Sequence, residues 1–149
     1  MPQLIQNTEH KTIYNPALKE TITFLHTADS THGAFSLLEI SLEPGGGNPM
    51  HLHGSYSELF TARVGTLGLE LQDGKQIYLQ PGEHFLVHKS VPHRFFNPGE
   101  QPITFTNQVE PGSKGLEQTL QILAGLASVV RYTKGNIPSN LFHLAICGK

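Results

Sequence analysis

A chain of 149 residues with a formal charge of −2 can bury one core, and it carries no basic stripe to neutralise phosphates, so nucleic acid is not its expected partner. The lone cysteine, Cys147, excludes an intrachain disulfide and suits a reducing cytoplasm. The opening MPQLIQNTEHK lacks the apolar segment of a secretory signal, and LQILAGLASVV from Leu120 is too short and too interrupted to span a bilayer, so a cytoplasmic protein with no membrane segment is expected.

From Thr12 to about Val109 the pattern is strand after strand. ETITFLHT, AFSLLEISLEP, SELFTARVG, TLGLELQ, KQIYLQ, EHFLVHK and PITFTNQVE alternate apolar and polar residues or are rich in β-branched and aromatic ones. Glycine and proline clusters separate them, and Asp73-Gly74 predicts a two-residue hairpin turn. Closely spaced strands without helices between them indicate an all-β sandwich or barrel. After Pro111-Gly112 the period changes. Leu116, Leu120, Leu123, Ala127 and Val130 recur at helical steps, and IPSNLFHLAICG predicts a second short helix that stops at Gly148. The chain thus divides into a barrel domain over 1–112 and a helical extension over 113–149. The extension is expected to pack on the barrel or at a dimer interface. Open sheet edges and an apolar tail together predict a homodimer.

Nine histidines stand against ten lysines and arginines, so their placement matters. In GGGNPMHLHGSYSELFTARVG, His51 and His53 are two apart and project from one face if the backbone is extended. The GSYS turn is expected to fold the next strand back beside them and bring Glu58 alongside. Two imidazoles and a carboxylate that converge make a metal site, since each offers a lone pair to a divalent ion. A further ligand is needed, and His93, which opens another strand in VPHRFFN, is the candidate. His10, His26, His32 and His143 have no such spacing.

The same stretch resembles the first motif of the cupin superfamily, G-x5-H-x-H-x4-E-x6-G, with Gly45, His51, His53, Glu58 and Gly65 in place. The second motif, G-x5-P-x-G-x2-H-x3-N, is similar to the run from Gly82 to Asn97, with His93 and Asn97 in register. His88 stands where that motif has proline and Ser90 where it has glycine. A glycine there permits a positive φ, so Ser90 is expected to keep an ordinary backbone conformation. The resemblance covers about residues 33–109. It implies a double-stranded β-helix, a jelly-roll barrel with a short C-terminal helical tail, and a metal in the barrel mouth held by His51, His53, Glu58 and His93.

Three neutral imidazoles and one carboxylate around a divalent ion leave a net charge of about +1 and open positions for a ligand oxygen. Mixed nitrogen and oxygen ligation suits Fe, Mn, Ni or Zn. By strand alternation Phe60, Ala62 and Val64 share the face of Glu58, and Phe95 shares that of His93. Arg63 and Arg94 fall on the outward face. A substrate pocket of Phe60, Ala62 and Phe95 suits an aromatic or partly apolar small molecule that offers an oxygen to the metal. His84 and His88 have at most a place on the rim. The resemblance then implies a metal-dependent enzyme of dioxygenase type, with Glu58 orienting substrate or relaying a proton besides its ligand role. A metal-dependent isomerase or lyase, or a non-catalytic metal and small-ligand binding or sensing protein, are the alternatives.

Overall fold

The computed structural model describes residues 9–132 of the chain. The second predicted helix, with His143 and Cys147, lies outside them. Among the described residues nine strands precede one helix: β1 (Thr12–Asn15), β2 (Glu20–His26), β3 (Ser36–Leu42), β4 (Ser57–Val64), β5 (Leu67–Leu71), β6 (Gln76–Leu79), β7 (His84–Val87), β8 (His93–Phe96), β9 (Ile103–Glu110) and α1 (Lys114–Tyr132). They form a six-stranded sheet, β1-β2-β3-β9-β4-β7, and a three-stranded sheet, β6-β5-β8. Every pairing is antiparallel. This is the expected jelly-roll architecture.

Alternation decides which side chains face the barrel interior. Ile22 and Phe24 of β2, Leu38, Ile40 and Leu42 of β3, Phe60 and Ala62 of β4, and Ile103, Phe105 and Val109 of β9 are all buried. Phe60, Phe95 and Phe105 meet edge-on or tilted, with ring centroids 5.1–6.1 Å apart. Polar residues also sit at the inward parity, among them Glu20 on β2, Ser36 on β3, Glu58 on β4, His93 on β8 and Asn107 on β9. Each carries a desolvation cost that apolar neighbours cannot repay.

Two local expectations are corrected. The turn after β5 is not a two-residue loop. Leu71 N–H donates to Lys75 O and Gly74 N–H to Leu71 O, each at 2.9 Å, which closes a three-residue loop with Gly74 at φ +85°. That is a type I turn with a glycine bulge. Val64 does not share the inward face of Phe60 and Ala62. The β4–β9 register shifts between Ala62 and Val64, and the extra residue turns Val64 outward to 58% exposure. Gly65 follows at φ +75°, where a Cβ would stand 2.6 Å from Ile103 Cγ2, so only glycine fits. Arg63 is exposed, and Arg94 pairs outside the barrel with Glu70 at 2.6 Å.

The helix stripe packs on the barrel. Leu116, Leu120, Leu123 and Ala127 are buried, and Val130 is half-buried. Ser113 caps the first turn, its Oγ accepting the Leu116 N–H at 3.0 Å. Glu117, one turn in, is buried, and its Oε2 accepts from Ser36 Oγ at 2.6 Å and Ala28 N–H at 2.8 Å. These bonds pin α1 to the start of β3. No helix among the described residues is long and apolar enough to cross a membrane.

Candidate metal centre

His51 and His53 lie on an irregular segment rather than in a strand. His51 makes an isolated antiparallel bridge to His93 of β8, with reciprocal backbone bonds of 3.0 and 2.8 Å. That bridge keeps the segment extended enough for both imidazoles to face inward. The expected return of β4 beside this segment does not occur. β4 pairs with β7 and β9 in the six-stranded sheet, so Glu58 reaches the imidazoles from the opposite wall. Convergence comes from the barrel closing, not from a local hairpin.

All four side chains are at most 5% exposed, and one donor atom of each lies within 4.8 Å of the others. Glu58 Oε1 is 2.8 Å from His93 Nε2 and 3.3 Å from His53 Nε2. Ligands at about 2.1 Å from a common ion and at right angles stand about 3.0 Å apart, so the donor set fits a divalent cation. The ring tautomers agree. His51 Nδ1 is 2.7 Å from Pro49 O and His93 Nδ1 is 2.8 Å from Val91 O. A carbonyl only accepts, so each neutral ring holds its proton on Nδ1 and turns an Nε2 lone pair to the centre. His53 Nδ1 is 2.7 Å from the buried Tyr56 hydroxyl, which can accept the same way. On the other wall Asn107 Nδ2 donates to Glu58 Oε2 at 2.6 Å and fixes the carboxylate plane.

Burial alone would push Glu58 up, but the His93 hydrogen bond and the nearby imidazoles outweigh it and hold the carboxyl at about 2. It is therefore an anion, as a ligand must be. Burial, with the neighbouring His93, drives His51 down to about 4 against the pull of Glu58, so it stays neutral. Burial also disfavours charge on His93, yet its hydrogen bond to Glu58 and that carboxylate's charge prevail and raise it above its ordinary 6.5. Metal entry must displace that proton. We expect Zn(II) affinity to fall about tenfold per pH unit below the raised His93 value, with His51 adding to the loss only near its own pKa. Competition titrations from about pH 8 to about pH 5 check this, and a flat affinity would contradict it.

A cavity of about 30 Å³ adjoins the centre. Glu58, Asn48, Asn107 and Phe95 line it on the barrel walls, Leu116 and Leu120 of α1 close it, and Glu20 faces in from β2. Of the expected pocket residues, Phe95 is in this wall. Phe60 and Ala62 are 0% exposed, in the packed core. Tyr56, Asn107 and Glu20 were not singled out from sequence. For the last two a signal existed: each puts a polar side chain at inward parity in an otherwise apolar alternation, Glu20-Ile22-Phe24 and Phe105-Asn107-Val109. His10, His26, His32, His84 and His88 are all exposed.

Residues 38–109 match the family model described as the cupin domain. The chain belongs to the cupin superfamily. No curated protein matches its sequence. Among solved structures this cupin is similar to the polyketide cyclase RemF from Streptomyces resistomycificus, at 22% identity over 85% of this chain and 98% of that one, with a TM-score of 0.59. A predicted oxalate decarboxylase from Thermotoga maritima aligns at 15% identity over 74% of this chain and 99% of the other, TM-score 0.61. A cupin-superfamily sugar phosphate isomerase from Silicibacter pomeroyi aligns at 21% identity over 73% and 75%, TM-score 0.56. At these identities the likeness is one of fold.

This cupin departs from the second motif at Ser90, and the expectation of an ordinary backbone there is overturned. Ser90 sits at φ +68°, because its N–H must turn back to His53 O at 2.6 Å. A side chain in that region costs about 1–2 kcal/mol. Ser90→Gly is expected to stabilise the protein by about 1 kcal/mol, read as a shift in urea midpoint at unchanged slope. A destabilised variant would mean the serine side chain makes a compensating contact.

Proposed function

We propose that this cupin is a divalent-metal-dependent enzyme that moves a proton on a small, oxygen-bearing substrate, as an isomerase or lyase does. The observation that carries the reading is the buried His51, His53, Glu58 and His93 cluster, with three Nε2 lone pairs and an anionic carboxylate oxygen around one point and a cavity beside it. The metal, when bound, supplies a Lewis acid that polarises a substrate oxygen. The remaining work falls to the chain. Asn107 keeps Glu58 oriented, the Nδ1 bonds keep the imidazoles turned inward, and Leu116 and Leu120 exclude bulk water. Glu58 at about 2 has no proton to give near neutrality. Glu20, which burial pushes up to about 8, does. We therefore assign the acid role to Glu20 and leave Glu58 as ligand.

The cavity also bears on substrate size. A space near 150 Å³ is needed for a benzene ring, so about 30 Å³ holds only one or two heavy atoms, and a substrate enters only as α1 shifts. That favours small aliphatic substrates over aromatic ones. The names of a cyclase, an isomerase and a predicted decarboxylase among structures of this fold are in keeping with non-oxidative chemistry. Dioxygenase-type oxidation is the second reading, favoured by a donor set that also suits Fe(II).

The two separate cleanly. Protein loaded with Zn(II) or Mn(II) is incubated without oxygen in deuterated buffer with short hydroxyketones and diketones. Deuterium uptake at carbon that is lost with EDTA supports proton transfer. Turnover only with iron and with matching oxygen consumption overturns it in favour of oxidation. Saturable binding without turnover of any kind marks a binding protein.

A further inference from the structure

Glu20 is 2% exposed, and its Oε2 has no hydrogen-bond partner among the described residues. So has Asn107 Oδ1, although the same amide's Nδ2 is engaged by Glu58. Both residues line the one cavity that also reaches Glu58. An unsatisfied buried polar atom costs about 1–3 kcal/mol, and two in one wall ask for a common explanation. Nothing in the fold requires an acid at position 20. Its strand neighbours at the same parity, Ile22 and Phe24, are apolar, and its backbone is already paired with Asn15 and Leu42.

From this geometry we infer that Glu20 and Asn107 form a binding subsite for a hydroxyl group of a short aliphatic ligand whose other oxygen faces the His51, His53, Glu58 and His93 cluster. A hydroxyl is the function that fits. It donates to Asn107 Oδ1, which can only accept. Toward Glu20 it accepts, taking a hydrogen bond from the protonated carboxyl, since its one proton is already given to Asn107 Oδ1. Burial keeps that carboxyl neutral, which disfavours a second anion at this end of the ligand. The remaining walls, Ile22, Leu38 and Ile40, match an aliphatic spacer, for which α1 must move outward because the cavity of about 30 Å³ is smaller than such a ligand. The ligand class is therefore a small molecule with a hydroxyl at one end and a carbonyl or carboxylate at the other. The inference rests on the metal-centre reading for the orientation of the ligand but not for the existence of the hydroxyl subsite.

The test is a homologous series. Glycolate, 3-hydroxypropionate and 4-hydroxybutyrate are titrated calorimetrically into the Zn(II)-loaded protein beside acetate, propionate and butyrate. At one chain length the hydroxy acid should bind at least about tenfold tighter than its parent, as one well-made buried hydrogen bond allows. Glu20→Leu should reduce that ratio to near unity, and Glu20→Gln, which can still donate and accept, should keep most of it. If the leucine variant does not fold, the infrared carbonyl stretch of the Glu20 carboxylic acid, identified by its loss in Glu20→Gln, gives the second reading. It should shift with the hydroxy acid and not with its parent, and in metal-free protein with ethylene glycol. Parent acids bound as tightly as hydroxy acids at every length, no binding of any hydroxylated probe, or a ratio unchanged in Glu20→Leu overturns the subsite. Metal content of the same preparation is scored separately: a metal-loaded protein with no hydroxyl preference refutes the subsite alone, and a protein that takes no metal but answers to ethylene glycol refutes the centre alone.

Discussion

His93→Ala is expected to lose metal and stability together. Removing a hydrogen-bonded neighbour of a metal ligand costs about 10–100-fold in affinity, so removing a ligand should cost roughly 100-fold or more. Protein purified without chelators should then carry well under a tenth of the wild-type metal. The stability loss has a different origin. Glu58 is held as an anion inside the barrel largely by the His93 hydrogen bond and the adjoining imidazoles. Taking His93 away leaves a buried carboxylate short of its main partner, which costs about 3–5 kcal/mol where such pairs have been broken. Elemental analysis and urea unfolding on the same batch check both halves. Undiminished metal would show that His93 is not a ligand, and undiminished stability would show that Glu58 takes up a proton at little cost.

The second large effect belongs to Glu20. Its folded-state pKa is raised from 4.5 to about 8 because burial penalises the charged form. Between those values the native protein holds a proton that the unfolded chain has released. Stability from this group is therefore fully present below 4.5 and is lost as pH rises toward 8. At about 1.4 kcal/mol per pH unit the loss amounts to a few kcal/mol by neutrality. His93, also raised, adds a loss of the same sign above its ordinary value, whereas His51, lowered from 6.5 to about 4, adds stability as pH rises between those two values and nothing above them. The comparison with Glu20→Gln isolates the carboxyl. The stability difference, variant minus wild type, should grow with pH from about 5 to about 8, as measured by urea unfolding at each pH. A difference that stays constant would mean that Glu20 titrates normally in the folded state.

Much of the barrel was legible because strand alternation is a local property. ETITFLHT and PITFTNQVE declare their buried faces without reference to any other segment, and so do the leucines of α1. That His51, His53, Glu58 and His93 belong together was legible by spacing and by resemblance, but not their arrangement. Glu58 was expected beside the histidines through a local turn, whereas it faces them across the barrel, and no local pattern reports which sheet a strand joins. Val64 was misplaced because a bulge adds one residue and inverts parity, an effect set by the partner strand β9. Ser90 was misjudged because its positive φ follows from a backbone bond to His53, thirty-seven positions away by their numbers. Glu20 shows the opposite failure. Its inward parity was written in the sequence, yet an acid at the start of a strand is usually solvated, and its burial beside a cavity shared with Leu116 and Leu120 of the helix is a tertiary property.

The most direct measurement is X-ray absorption at the metal edge of the purified wild-type protein, after exposure to Fe(II), Mn(II), Ni(II) or Zn(II), with metal content determined alongside. A cation seated between the two walls of the barrel should be present at one per chain and show nitrogen and oxygen neighbours near 2.1 Å with the multiple scattering of imidazole rings. A protein that takes up none of these ions, or that holds one without imidazole in its shell, would leave the buried acid and its three basic neighbours as an ion-pair network and nothing more.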